Sequence, residues 1–249
     1  MNRFTFYTEK WLDKGFRYIP NSVFITLANT LGNNTAITTN GDHYSITRDG
    51  ITLESPTPKY IGFGLSTFAR RFERYFAIEP GDVCVDIGAC IGDTAIPMHM
   101  KSGSTGKVFA VEPVPSNAHY LRLNCPWAEV VEKAVWSEPT TLEFNVNEAN
   151  ITGGSILHKS DSIIRIEADT LDHMFEHITD DFAKIDVQLA EAEVLRGADA
   201  FLQRTKKLCV VIHERYSSRS TFTPCFEILK HHYPNIAFAM DTGVLHCWK

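Results

Sequence analysis

The chain has 249 residues, 44% hydrophobic and 22% charged, with a net charge of −6. That length can bury a substantial core, and the composition is that of an ordinary globular protein, which excludes disordered and fibrous classes. The acidic balance, with a pI near 5.9, argues against a broad basic footprint for duplex nucleic acid.

The opening stretch "MNRFTFYTEKWLDKGF" spreads charges along its length, unlike a signal peptide. No run reaches the roughly 18 apolar residues of a membrane span. The expectation is a cytoplasmic protein with no membrane partner. Cysteines at 84, 90, 125, 209, 225 and 247 form no C-x-x-C pair and no zinc spacing. Cys84 and Cys209 lie in apolar runs and read as small buried thiols.

Residues 1–58 carry Thr-rich short runs and the turn signals "NTLGNN", "TNGDHY" and "TRDG". They predict an N-terminal extension of small antiparallel strands rather than helices, followed by a main domain over 59–249. "YIGFGLSTFARRFERYF" (60–76) reads as a helix whose Phe68, Phe72, Tyr75 and Phe76 either pack on a sheet, the favoured reading, or cup a substrate. Arg70, Arg71 and Arg74 beside them form either a solvated face or a cradle for an anionic acceptor.

From Pro80 onward, short apolar runs alternate with amphipathic segments, the pattern of strand–helix–strand units in a parallel sheet. The runs are "DVCVDIG" (82–88), "KVFAVEP" (107–113), "EVVEKAV" (129–135), "DFAKIDV" (181–187) and "KLCVVIHE" (207–214). Helices are expected at "PSNAHYLRLN" (115–124), "AEAEVLRGADAFLQR" (190–204) and "TFTPCFEILKHHY" (221–233). Residues 137–170 read as short inserted strands. The chain closes with "NIAFAM" and "VLHCWK" joined by Asp-Thr-Gly, a hairpin that ends the sheet with antiparallel strands.

"VCVDIGACIGDTA" (83–95) places Asp86, Gly88 and Gly92 at a strand-to-helix turn. Glycine there admits a close ligand, and the next helix offers unpaired N–H groups. Cys90 stands where the dinucleotide fingerprint G-x-G-x-x-G has its middle Gly, which disfavours a pyrophosphate. Asp86 would repel a diphosphate yet could hold an ammonium group. Glu112 ends the second strand, where this architecture presents a carboxylate to ribose hydroxyls. A nucleoside with a positive centre and no phosphates satisfies both acids, and S-adenosyl-L-methionine is such a ligand.

In order along the chain, "VDIGACIGDTA", "VFAVEPVPSNAHYLRLN", "EKAVWS", "ADTLD", "AKIDVQLAEAEVLRGA" and "CVVIHE" resemble the FkbM family of class I S-adenosylmethionine-dependent methyltransferases. The resemblance spans about residues 78 to 216. It implies an α/β, Rossmann-like fold with a seven-stranded, mostly parallel sheet whose last strand is antiparallel. It also implies that Asp86 and Gly88 flank the methionine portion of the donor, that Cys90 and Gly92 belong to the same donor-binding loop, and that Asp93 and Thr94 sit over it. Glu112 would take the ribose hydroxyls, Lys133 and Ala134 would approach the adenine, and Asp186 would face donor and acceptor together. The family usually shows Glu-Gly where this chain has Gln188-Leu189; Glu191 is retained. A positive φ at 189 would strain a leucine, so either the turn is reshaped or the acceptor pocket is altered.

A hydroxyl acceptor must lose a proton, and the catalytic candidates are Asp186, His213 and Glu214, with His213 the expected base. Asp172, Asp186 and Glu214 could offer oxygens to a divalent metal but have no spacing signal, so no metal is assigned. His173 and His177 stand four apart, a spacing that on a helix suits either a metal or a solvated face. The expected reaction is O-methylation of a small molecule or sugar. The alternatives are a donor-binding protein with weak or no transfer, and methylation of a peptide or RNA, for which the charge gives little support. A homo-oligomer stays open.

Overall fold

The computed structural model describes residues 19–31, 35–60, 63–146, 162–213 and 221–249. The chain divides into two units, Met1–Phe68 and Ala69–Lys249.

In the first unit, helix α1 (Asn21–Leu31) precedes strands β1 (Thr35–Asn40), β2 (His43–Arg48) and β3 (Ile51–Ser55). The strands form an antiparallel meander in the order β1-β2-β3. Its second turn uses Asp49 and Gly50, both at positive φ (49° and 77°), the geometry that matches strand twist. The short strands agree with the turn signals; α1 does not. Its β-branched residues read as strand, but the Thr26 and Thr30 hydroxyls donate to carbonyls four residues earlier at 2.9 and 2.7 Å. Those bonds accommodate threonine within a helix. Helix α2 (Leu65–Phe72) is shorter than the expected 60–76: Tyr75 and Phe76 lie beyond it, and residues 61–62 are outside the described residues.

In the second unit the described residues form a seven-stranded sheet in the order β12-β13-β11-β10-β4-β5-β6. Its strands are β4 (Val83–Ile87), β5 (Lys107–Val111), β6 (Glu129–Val131), β10 (Phe182–Ile185), β11 (Lys207–Val211), β12 (Asn235–Ala239) and β13 (Val244–Trp248). β4, β5, β6, β10 and β11 pair in parallel, whereas β13 runs antiparallel to both β11 and β12. The closing hairpin inferred from Asp-Thr-Gly is therefore present, with Gly243 at φ 69°. Because side chains alternate across a strand, Val85, Ile87, Ala183, Ile185, Leu208 and Val210 share one buried face with Val194, Leu195, Phe201 and Leu202. Cys84, Asp86, Lys184 and Cys209 are the intervening residues, all buried.

Helices α3 (Ala95–Ser102), α4 (Pro115–Asn124) and α8 (Phe222–Leu229) fall where the sequence places helices. Two expected elements are divided. "EVVEKAV" gives β6 in the main sheet and β7 (Ala134–Val135) in a separate sheet of order β7-β9-β8, with β8 (Thr140–Val146) and β9 (Ser162–Asp169). The segment 190–204 gives α6 (Glu191–Arg196) and α7 (Asp199–Arg204). Gly197 separates them: a Cβ there would lie 2.5 Å from the Trp136 carbonyl, and the Gly197 carbonyl accepts from Asp172 N at 3.2 Å. The short α5 (Leu171–Met174) excludes His177, so His173 and His177 do not share a helix face; His173 bonds Asp169 and His177 pairs with Glu176. Among the described residues no helix is long and apolar enough to cross a membrane.

Candidate active site

The site is assembled where β4, β5, β10 and β11 end, the edge at which open parallel sheets gather ligands. After β4, the Gly88 and Ala89 amides both donate to the Val111 carbonyl, at 2.9 and 3.0 Å. Gly88 has φ 80°, and a Cβ there would stand 2.0 Å from the Asp186 carbonyl oxygen, so no side chain fits. Cys90 takes a left-handed φ of 50° that few non-glycine residues adopt, and its N–H donates to Glu112 Oε2 at 2.9 Å. Gly92, at φ 101°, closes the turn by donating to the Ala89 carbonyl at 2.8 Å. Asp93 is half-buried and Thr94 buried just before α3.

Glu112 lies one residue past β5, buried to 5% exposure. Its Oε1 accepts from Val114 N at 3.0 Å and Asn117 Nδ2 at 3.2 Å. Burial pushes its carboxyl up to about 7, against the lowering effect of these bonds, the Cys90 amide and the Lys184 charge. The acid thus joins the loop after β4 to the start of α4.

Asp86 does not face an open loop. Lys184, its directly opposed partner across the β4–β10 ladder, donates to Asp86 Oδ1 at 2.8 Å and to the Gly88 carbonyl at 3.0 Å. Thr94 donates its hydroxyl to Asp86 Oδ2 and makes no capping bond to α3. Both Asp86 oxygens are engaged inside the protein. Burial disfavours the Lys184 ammonium, yet Asp86 and Asp186 outweigh it and hold its pKa above the ordinary value. Lys184 is not among the expected site residues; its signal in the sequence is a lone lysine inside "FAKID", since a charge in a buried strand must find a partner.

Asp186 and His213, expected as strand ends, lie one and two residues beyond β10 and β11, and they come together. His213 Nε2 is 3.3 Å from Asp186 Oδ1 and its Nδ1 is 2.8 Å from Glu191 Oε1. The Asp186 contact is an ion-pair distance, since Oδ1 has no hydrogen-bond partner among the described residues. On the other side, Arg71 Nη2 is 4.0 Å from Asp186 Oδ2. Asp186 keeps 19% of its side chain exposed. Burial raises its pKa, but Lys184, His213 and Arg71 bring it below the usual carboxylate range. For His213 burial is again the largest effect and lowers the pKa, while Glu191 and Asp186 reverse it and hold it above the ordinary histidine value. Glu214, the third candidate, lies outside the described residues.

Gln188 and Leu189 both have left-handed backbones, with φ 53° and 79°. The turn keeps the conformation glycine favours although neither residue is glycine, and Leu189 is buried. Lys133 is partly exposed and 3.5 Å from Asp169 Oδ2. The Ala134 side chain is buried with Val114, Phe144, Ile166 and Ala168, while its backbone lies on β7, paired with β9. Asp172 is engaged away from Asp186, accepting from Phe201 N at 2.6 Å. Among the described residues no three His, Cys, Asp or Glu side chains converge as a metal site would require. Arg74 pairs with Asp241.

A parallel sheet closed by an antiparallel strand between β11 and β12, with a glycine loop after β4 and an acid after β5, defines a class I methyltransferase domain. A family model described as "Methyltransferase FkbM domain" matches residues 86–234, more than half of the chain. The chain belongs to the FkbM methyltransferase family, and membership implies S-adenosylmethionine as methyl donor. No curated protein matches the sequence. Among solved structures, the FkbM methyltransferase of Methylobacillus flagellatus KT is similar at 14% identity and a TM-score of 0.52, over 74% of this chain and 50% of that one. This chain thus spans half the length of that relative. Aeropyrum pernix fibrillarin with natively bound S-adenosyl-L-methionine matches at 12% identity and a TM-score of 0.45, over 86% of this chain and 97% of that one. At 14% identity the likeness to the Methylobacillus structure concerns the fold alone.

Proposed function

We propose that the chain transfers the methyl group of S-adenosylmethionine to a hydroxyl of a small molecule or sugar, with Asp186 and His213 at the point of transfer. The observation that carries this reading is the approach of His213 Nε2 to Asp186 Oδ1 at 3.3 Å, while the backbone of Asp186 presses on Gly88 of the glycine loop.

The loop fits such a donor. Gly88 lets the loop after β4 close directly against the Asp186 carbonyl, and Glu112 is a buried acid at the end of the second parallel strand. In this reading Gly88, Cys90 and Gly92 approach the donor through their backbones, Asp93 and Thr94 border its methionine part, and Glu112 takes the ribose hydroxyls. The Lys133–Ala134 backbone borders the adenine. Asp86 acts indirectly, by holding Lys184 and Thr94.

When bound, the donor supplies a methyl group already activated for in-line displacement, so positioning contributes much of the rate. Asp186 orients the acceptor hydroxyl, and neutral His213 accepts its proton through Nε2. Methyl transfer to a panel of hydroxylated metabolites and sugars, followed with isotopically labelled donor, tests the assignment. His213→Gln should abolish transfer while leaving donor binding by calorimetry intact; full turnover in that variant would refute the base. A second reading, donor binding without efficient transfer, is favoured by the left-handed Gln188–Leu189 turn. It predicts tight donor binding and no product even in a single turnover.

A further inference from the structure

We propose that Glu191 is a positioning residue of the transfer site, holding the His213 ring with the same oxygen that anchors the Gln188–Leu189 turn. The inference rests on the reading of His213 as base. Glu191 is fully buried. Its Oε1 accepts from Leu189 N at 3.0 Å and lies 2.8 Å from His213 Nδ1. Oε1 already acts as an acceptor toward Leu189 N; accepting from the ring as well places the proton on Nδ1 and leaves the lone pair of the neutral ring on Nε2. Nε2 is the nitrogen that meets Asp186. Glu191 therefore selects the tautomer in which the ring can take a proton on the Asp186 side.

The shared oxygen also accounts for the turn. Leu189 sits at φ 79°, where the FkbM pattern has Gly, and its amide is fixed by a buried carboxylate. The left-handed turn survives the loss of glycine because Glu191 pins it from the following helix, so the sequence departure at 188–189 and the ring's orientation meet at one atom. Among the described residues, the charged groups facing His213 are Asp186 after β10, Glu191 on α6 and Arg71 on α2, the last opposing protonation.

Nitrogen-15 NMR of the histidine rings in the full, donor-free chain tests this, with His213 assigned by its loss in His213→Gln. In the wild type, His213 above its midpoint should hold its proton on Nδ1. In Glu191→Gln the midpoint should fall by about one pH unit and the tautomer preference should relax, with Glu191→Asp restoring part of both. An unchanged midpoint and tautomer in Glu191→Gln overturns the proposal and leaves the base reading standing. A shifted titration with transfer indifferent to both Glu191→Gln and His213→Gln sinks the base reading and with it any positioning role. Should Glu191→Gln fail to fold, the wild-type ring decides: a neutral tautomer protonated on Nε2 overturns the proposal.

Discussion

Lys184 and Asp86 stand directly opposite one another on β10 and β4, and their side chains form a buried ion pair at 2.8 Å. Removing one partner of such a pair strands the other charge, at a cost of about 3–5 kcal/mol. Lys184→Met should lower stability by that order in denaturant unfolding, and adding Asp86→Asn should recover much of it. A single variant as stable as wild type would contradict the pairing.

Glu112 and Asp180 make stability depend on pH in the direction opposite to ordinary carboxylates. Burial pushes both carboxyls up to about 7, although Asp180 accepts the Thr205 hydroxyl at 3.0 Å and Glu112 accepts three donors. Unfolded, they titrate near about 4, so between the two values the folded state holds more protons than the unfolded one. Their contribution is present below the unfolded pKa and is lost as pH rises through about 7. Donor-free protein should lose stability across that range, and Glu112→Gln and Asp180→Asn should each flatten the slope in unfolding titrations. Identical slopes would count against the buried-acid account.

The 188–189 turn separates two costs. A left-handed backbone costs a non-glycine residue roughly 1–2 kcal/mol, whereas burying a leucine side chain contributes about 1.5–3 kcal/mol. Gln188→Gly should therefore hold or raise the melting temperature, because Gln188 is only half-buried. Leu189→Gly should lower it, since lost burial exceeds relieved strain. A large gain in Leu189→Gly would show that burial there is worth little.

Transfer should increase with pH. The base must be neutral, and Glu191 and Asp186 hold the His213 pKa above its ordinary value despite burial. The rising limb of kcat should lie above that of an unperturbed histidine, near about 6.5, and should move down in Glu191→Gln. A flat profile would point away from His213.

Much of the sheet was legible because its strands are continuous apolar runs separated by helical spacing, and the Asp-Thr-Gly hairpin announced its antiparallel end. What escaped reading was set by contacts distant in sequence. Gly197 divides one expected helix because the Trp136 carbonyl lies against it. α1 is a helix despite its β-branched residues, and Asn29 ties it to β1 by exchanging hydrogen bonds with the Ile37 backbone at 3.0 and 2.7 Å. The glycine loop, Glu112, Asp186 and His213 could be selected from strand ends, but the occupation of Asp86 by Lys184 depends on a cross-strand register that no local pattern prints. Glu191 was visible only as a retained acid; its meeting with His213 joins α6 to the end of β11.

At Gly88 the loop after β4 has no slack: the carbonyl oxygen of Asp186 fills the space a methyl group would take. Loop and Asp186 backbone are therefore packed against each other, which gives the donor and acceptor sides of the site a direct physical connection. Donor and acceptor should then report on each other's arrival, each tightening the other's hold by the same factor. Measuring the affinity for the demethylated donor with and without an acceptor would read that factor without turnover.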